Sequence, residues 1–209
     1  MTHTGDAPVT VPPDRFTGRI AGVGTTSGVR VVVGRWDESP WGRFADVMLA
    51  QPDGLRLLLA PSGEVAEYVA ATYTFDRVVL GPVAVTDDGS AWCVTAPDLV
   101  IRLDVGRRRA LGRLLGVVPR PISTSPSWAA VTDPVARVAL RGVRTRGSAG
   151  NGRREYYGAT DLHAVDAVEG TWRDGPLGGL AAVDPDPRFG FGSTPRRPSV
   201  TSLVTTIVR

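Results

Sequence analysis

Leu99-Val100-Ile101-Arg102-Leu103-Asp104-Val105 has the period of a half-buried β-strand. Alternate residues of a strand point to opposite faces, so Leu99, Ile101, Leu103 and Val105 turn one way and Val100, Arg102 and Asp104 the other. The pattern extends upstream. Ala91 to Thr95 and Arg77 to Thr86 read as strands flanking the turn Asp87-Asp88-Gly89. Phe44 to Ala50 and Leu55 to Ala60 form a pair joined through Pro52-Asp53-Gly54, where Pro fixes φ and Gly tolerates positive φ. Phe16 to Val23 and Val29 to Trp36 form another hairpin, with Gly24 to Gly28 at its tip. Downstream, strands resume after Arg141. A glycine loop at 147–152 leads into a long polar strand reaching about Val168. Leu177 to Val183, Phe189 to Gly192 and Val200 to Val208 close the chain.

Helical spacing is confined to three short stretches. Ser62 can cap a helix in which Val65, Val69 and Tyr73 share a face. Leu111, Leu114, Leu115 and Val118 make a stripe spaced i, i+3, i+4, i+7 behind the arginines 107–109, whose charge at a helix N-terminus opposes the dipole. A third helix is expected from Pro126, with Ser125 as its cap. Short turns between many strands predict a mainly β fold, an antiparallel barrel or sandwich with two or three short helices. Residues 1–14 are expected to be a flexible arm and 15–209 a single domain.

Composition excludes several chemistries. The 24 basic residues are all Arg; the chain has no lysine. A lysine Schiff base, a complete P-loop and a protein-kinase site are therefore impossible within it. A GC-rich coding sequence accounts for the arginine bias, with selection for bidentate anion binding as the alternative. Acids interspersed with the arginines leave a net charge of only +3, so a nucleic-acid partner is not expected. Cys93 is the only cysteine, and His3 and His163 are the only histidines. No intramolecular disulfide or cysteine–zinc cluster can form, nor a three-histidine metal site within one chain, and no metal or other cofactor is expected. Cys93, beside Trp92 in an apolar strand, is expected to be buried and inert. No apolar run reaches the roughly 20 residues of a membrane helix. A cytoplasmic protein is the default expectation.

Two segments concentrate chemistry. In Gly150 to Asp166, a single continuous strand would put Arg153, Glu155, Tyr157, Asp161 and His163 on one face. That is the inventory of an acid/base site or a polar ligand pocket. His163 beside a carboxylate could shuttle protons near neutral pH. An exposed face with cross-strand ion pairs is the alternative, and a bulge permitted by Gly158 would change the facing of every residue after it. The second segment, Trp36 to Asp46, holds Trp36, Trp41, Phe44 and three acids within eleven residues. It reads either as a pocket lining or as a hydrophobic plug over one end of a barrel.

Within that segment, Ser39-Pro40-x-Gly42-x-Phe44-x-Asp46 resembles the Ser-Pro-x-Gly-x-Tyr-x-Glu stretch of acetoacetate-decarboxylase-like proteins. The resemblance covers about a dozen residues. It implies a cone-like β-barrel around an internal ligand cavity. It does not carry over the reaction, because the imine-forming lysine is missing and Asp46 replaces the glutamate. The sequence leads to a β-barrel that binds a small organic molecule, an organic acid in particular. Arg153, Tyr157 and His163 are its candidate polar contacts, Trp36, Trp41 and Phe44 its apolar ones, and Asp46 a further ligand-binding candidate. An enzyme using His163 with Asp161 or Glu155 in the same pocket is the second reading. An arginine-rich module for an acidic partner is the third.

Overall fold

The computed structural model describes residues 12–125, 128, 145–148, 152–190 and 194–208. The expected arm over 1–14 lies outside them except for its last residues, as does the helix expected from Pro126 except for Trp128. In chain order the elements are β1 (Asp14–Thr25), β2 (Arg30–Glu38), β3 (Phe44–Ala50), β4 (Arg56–Ala60), α1 (Gly63–Thr72), β5 (Arg77–Leu80), β6 (Ala84–Asp87), β7 (Ala91–Ala96), β8 (Leu99–Arg108), α2 (Ala110–Val117), α3 (Arg120–Ser123), β9 (Arg146–Ser148), β10 (Arg154–Trp172), β11 (Gly175–Pro176), β12 (Leu180–Ala181) and β13 (Ser199–Val208).

The thirteen strands among the described residues join one sheet, with ten along the path β5-β4-β3-β2-β1-β13-β10-β8-β7-β6. The sheet curls into a half-barrel. Pairing is antiparallel except between β4 and β5, which run parallel. Helix α1 is the crossover that a parallel pair requires. Ser62 caps it as expected, its Oγ accepting the Val65 N–H at 3.3 Å.

Several expected boundaries shift for identifiable reasons. Arg77 to Thr86 breaks into β5 and β6 at Gly81-Pro82, where proline cannot donate a ladder hydrogen bond. The expected strand from Phe189 is irregular in its described part, Phe189 and Gly190. The preceding Asp184-Pro185-Asp186-Pro187 interrupts any ladder there. The Phe189 ring instead packs on Phe75, with centroids 5.7 Å apart.

The curl gives the sheet two buried faces. On the first, Val23, Val31, Val47 and Leu57 from β1–β4 meet Trp92, Ile101 and Leu103 from β7 and β8. Polar groups tie the β6 end of the sheet back to its middle. Asp87 of β6 pairs with Arg19 of β1 and with Arg35 of β2, and the Arg19 guanidinium lies 5.6 Å from the Trp92 ring centre. The alternation of β7 turns Trp92 and Val94 inward, so Cys93 points out. It is exposed, not buried as expected, and lies 3.7 Å from the Arg102 guanidinium. On the second face, Val65, Ala66 and Val69 of α1 pack over Leu58 and Ala60. That face positions the candidate site. Among the described residues no helix is long and apolar enough to cross a membrane.

Candidate functional site

Strand register brings the two chemical segments of the sequence together. Gly34 pairs with Asp46 and Trp36 with Phe44. Phe16 pairs with Thr205, and Thr205 with Tyr157. Phe16, Trp36, Phe44, Asp46, Glu155 and Tyr157 therefore share the second face of the sheet. The loop between β2 and β3 aims its part of them. Ser39 Oγ accepts the Trp41 N–H at 3.0 Å and donates to the Gly42 carbonyl at 2.6 Å, and Gly42 adopts φ +75°. This turn returns the chain with Phe44 and Asp46 facing the layer under α1.

Two carboxyl groups are sealed in that layer. Asp46 is 2% exposed and Glu155 1%. Trp36 Nε1–H donates to Asp46 Oδ1 at 2.9 Å. Tyr73 O–H donates to Glu155 Oε1 at 2.8 Å, and the Tyr73 and Tyr157 hydroxyl oxygens are 2.6 Å apart. Burial pushes both acids up to about 7. The Trp36 bond opposes this at Asp46, and the tyrosine hydroxyls oppose it at Glu155. Both tyrosines are held well above the ordinary phenol range, first by burial and then by the charge of Glu155; Asp46 also acts on Tyr157. The cluster is thus one electrostatic unit of two acids and two phenols in an apolar setting. Aromatic rings surround it: Phe16 touches Trp36, Trp41, Phe44 and Tyr68 with centroids 5.5 to 6.5 Å apart. Arg153 lies over the Tyr68 ring at 4.8 Å.

Asp161 and His163 do not join this cluster. The β10–β13 register shifts between Ala159 and Asp161, leaving Thr160 as an extra residue. A one-residue bulge reverses the facing of the residues beyond it. The expectation of one continuous face from Arg153 to His163 is corrected on that ground. Asp161 accepts from Arg108 Nε at 2.7 Å, with His163 Nε2 3.6 Å away on its other oxygen. The His163 side chain is 37% exposed, and its Nδ1 lies 3.2 Å from the Gly106 carbonyl oxygen. His163 and Glu155 point to opposite sides of the sheet.

Open space lies elsewhere. A groove of about 870 Å³ runs along the other face of β1 and β13, against α3. Arg15, Arg19 and Arg120 line it together with the hydroxyls of Thr17, Thr160 and Ser202. Arg15 Nη2 donates to Thr124 Oγ1 at 3.1 Å. A second groove of about 790 Å³ lies at the start of α2. Among the described residues no group of three His, Cys, Asp or Glu side chains is placed to hold a metal ion.

No family model matches the chain, and no curated protein matches it. Among solved structures it is similar to the acetoacetate decarboxylase of Legionella pneumophila subsp. pneumophila str. Philadelphia 1. The two share 8% identity at a TM-score of 0.41, over 99% of this chain and 90% of that one.

Sequence reading missed Tyr73, which it placed on the apolar face of α1. It also missed the groove arginines. Arg15 and Arg120 are 105 positions apart, and only the fold makes them neighbours.

Proposed function

We propose that the protein binds a small organic acid in the groove between β1, β13 and α3. The convergence of Arg15, Arg19 and Arg120 with a set of hydroxyls on one 870 Å³ concavity carries this reading. Its volume falls within the roughly 300–1,000 Å³ of small-molecule sites. Guanidinium forks match carboxylate geometry, and neighbouring hydroxyls serve the rest of a polar ligand. Arg19 is committed in part to Asp87. Arg15 and Arg120 make no ion pair with an acid among the described residues, which leaves them for the ligand.

Charge distribution favours a small ligand over a large acidic partner. Arg19, Arg35, Arg56, Arg102, Arg108, Arg173 and Arg196 are each paired with an aspartate. Such pairing leaves no broad field of one sign.

Thermal-shift and calorimetric titration with mono- and dicarboxylates tests the proposal. A ligand at about 100 times its Kd adds about 2.7 kcal/mol of stability. Arg15→Ala and Arg120→Ala should each weaken binding by at least about tenfold, since a hydrogen bond to a charged group contributes about 1.5–3 kcal/mol. A panel in which no carboxylate stabilises the folded chain sinks the reading.

An enzymatic reading rests on a different observation, the two sealed carboxyls that titrate at about 7. A group with that pKa can take and return a proton near neutral pH. Here Glu155 would be the base, with Tyr73 and Tyr157 carrying the proton, and Trp36, Trp41 and Phe44 forming the apolar wall. This reading requires the layer under α1 to open for substrate. Glu155→Gln abolishing a turnover that Arg15→Ala leaves intact would support it, and turnover unchanged by Glu155→Gln would end it.

A further inference from the structure

Helix α2 starts without the groups that usually stabilise a helix start. Arg109 is its N-cap, makes no capping bond through its side chain, and no acid stands in the first turn. The first helical bond runs from the Arg113 N–H to the Arg109 carbonyl at 3.0 Å. The amides of Ala110, Leu111 and Gly112 precede it and have no acceptor within the helix. The positive end of the helix dipole meets Arg109 and the Asp161 carboxylate, and Asp161 is already bound by Arg108 and the Leu162 N–H, so a bound anion is still favoured there.

That end opens into the 790 Å³ groove, which Arg109, Leu111, Leu162, Arg197 and Ser199 help to line. Two buried donors there have no partner among the described residues, Ser199 Oγ and Arg109 Nε. Ser199 is 1% exposed. It pairs with Ala164 while Thr201 pairs with Leu162, so Ser199 and Leu162 project from the same face of the sheet, toward the groove. A buried hydroxyl without a partner is costly, and this one is placed where a ligand oxygen would satisfy it.

Charge accounting shows which groups are left for an anion, and the apolar wall indicates its kind. Arg196 is paired with Asp184 at 2.5 Å, and Arg109 Nη2 donates to the Pro198 carbonyl at 3.1 Å. Asp161, beside the first turn, is bound by Arg108 and by the Leu162 N–H. Arg197 makes no ion pair among the described residues. Two guanidiniums without an acidic partner among the described residues, Arg109 and Arg197, together with Ser199 Oγ and the first-turn amides, suit an anion. Leu111, Leu162, Ala182, Pro195 and Pro198 offer an apolar wall beside it. We propose that this groove is a second ligand site, distinct from the groove under α3, which binds a carboxylate carrying a short apolar chain.

Hexanoate and inorganic phosphate are the probes, titrated into the ¹⁵N-labelled full chain. Saturable hexanoate binding is expected, with amide shifts at 110–112 and at Ser199, and phosphate at least tenfold weaker. Arg197→Glu and Ser199→Ala should each weaken hexanoate by tenfold or more. Ser199→Ala removes only an unsatisfied hydroxyl, so it also serves as the folded control. Arg15→Ala should leave the hexanoate-induced shifts at 110–112 and Ser199 unchanged while weakening any carboxylate binding in the groove under α3, which separates the two sites. No saturation, phosphate binding as tight as hexanoate, or shifts confined to other residues overturns the proposal.

Discussion

A carboxyl group enclosed by aromatic rings keeps its proton to higher pH than one in water. Asp46 and Glu155 both do so, to about 7. In the unfolded chain they titrate near pH 4. Between about pH 4 and 7 the folded state therefore holds protons that the unfolded state has released, and each rise in pH costs stability. The two groups add no penalty below about pH 4, and their full penalty is reached above about pH 7. Asp76, lowered by its hydrogen bond to Arg56, and Asp88, lowered by Ser90, act in the opposite sense. Their contribution is present above the ordinary carboxylate pKa and is lost as pH falls, so it does not mask the upper window. Urea midpoints measured from pH 4.5 to 8 should decline, and Asp46→Asn and Glu155→Gln should each flatten the decline. Both variants keep an acceptor for Trp36 or Tyr73. An unchanged slope in both would show that these acids are not sealed in solution.

At the scale of elements, the seat of α2 on β10 is set by a glycine. A Cβ at Gly112 would lie 2.5 Å from the Leu162 carbonyl oxygen and 2.7 Å from Asp161 Oδ1. Alanine is the better helix former by about 1 kcal/mol. Overpacking against backbone costs about 1–3 kcal/mol, and the Leu162 carbonyl cannot move without losing the Arg109 N–H bond it accepts at 2.9 Å. Gly112→Ala should therefore destabilise the protein despite its helix propensity, and hydrogen exchange over 110–117 should quicken. Stabilisation by this change would mean that α2 is held more loosely. Period-two reading found β8 and most of β10, because half-buried strands print their facing on the sequence. It missed the reversal at Thr160, because a bulge depends on the register chosen with β13. Gly158 signalled where a bulge was permitted without deciding whether one formed. Pro82 and the Asp-Pro repeat at 184–187 explain why two apolar runs did not become the strands their composition suggested.

At the scale of the molecule, the curl is held by Asp87. Its side chain is nearly buried and meets Arg19 of β1 and Arg35 of β2, which lie in the middle of the sheet path. Asp87→Ala should cost about 1–3 kcal/mol, because it leaves the partly buried Arg19 and Arg35 guanidiniums without their counter-charge. It also leaves two guanidiniums facing each other. Chemical denaturation checks this, and a loss of only a few tenths would mean that apolar packing around Trp92 alone closes the half-barrel. The groove under α3 is also a product of the whole fold, since Arg120 comes beside Arg15 and Arg19 of β1 only when α3 is laid against the sheet.

The sequence alone determined the mainly β character, the Ser62-capped helix and the exclusion of lysine chemistry. These rest on local alternation, a capping side chain and a count, and none depends on distant contacts. It also marked Trp36, Asp46, Glu155 and Tyr157 as unusual, but in two separate stretches. Only tertiary structure placed them in one sealed layer with Tyr73, turned Asp161 and His163 away, and gathered arginines from distant parts of the chain around open grooves. The physical reason is that side-chain facing is local until a bulge intervenes. Which faces meet is set by strand pairing across the whole sheet.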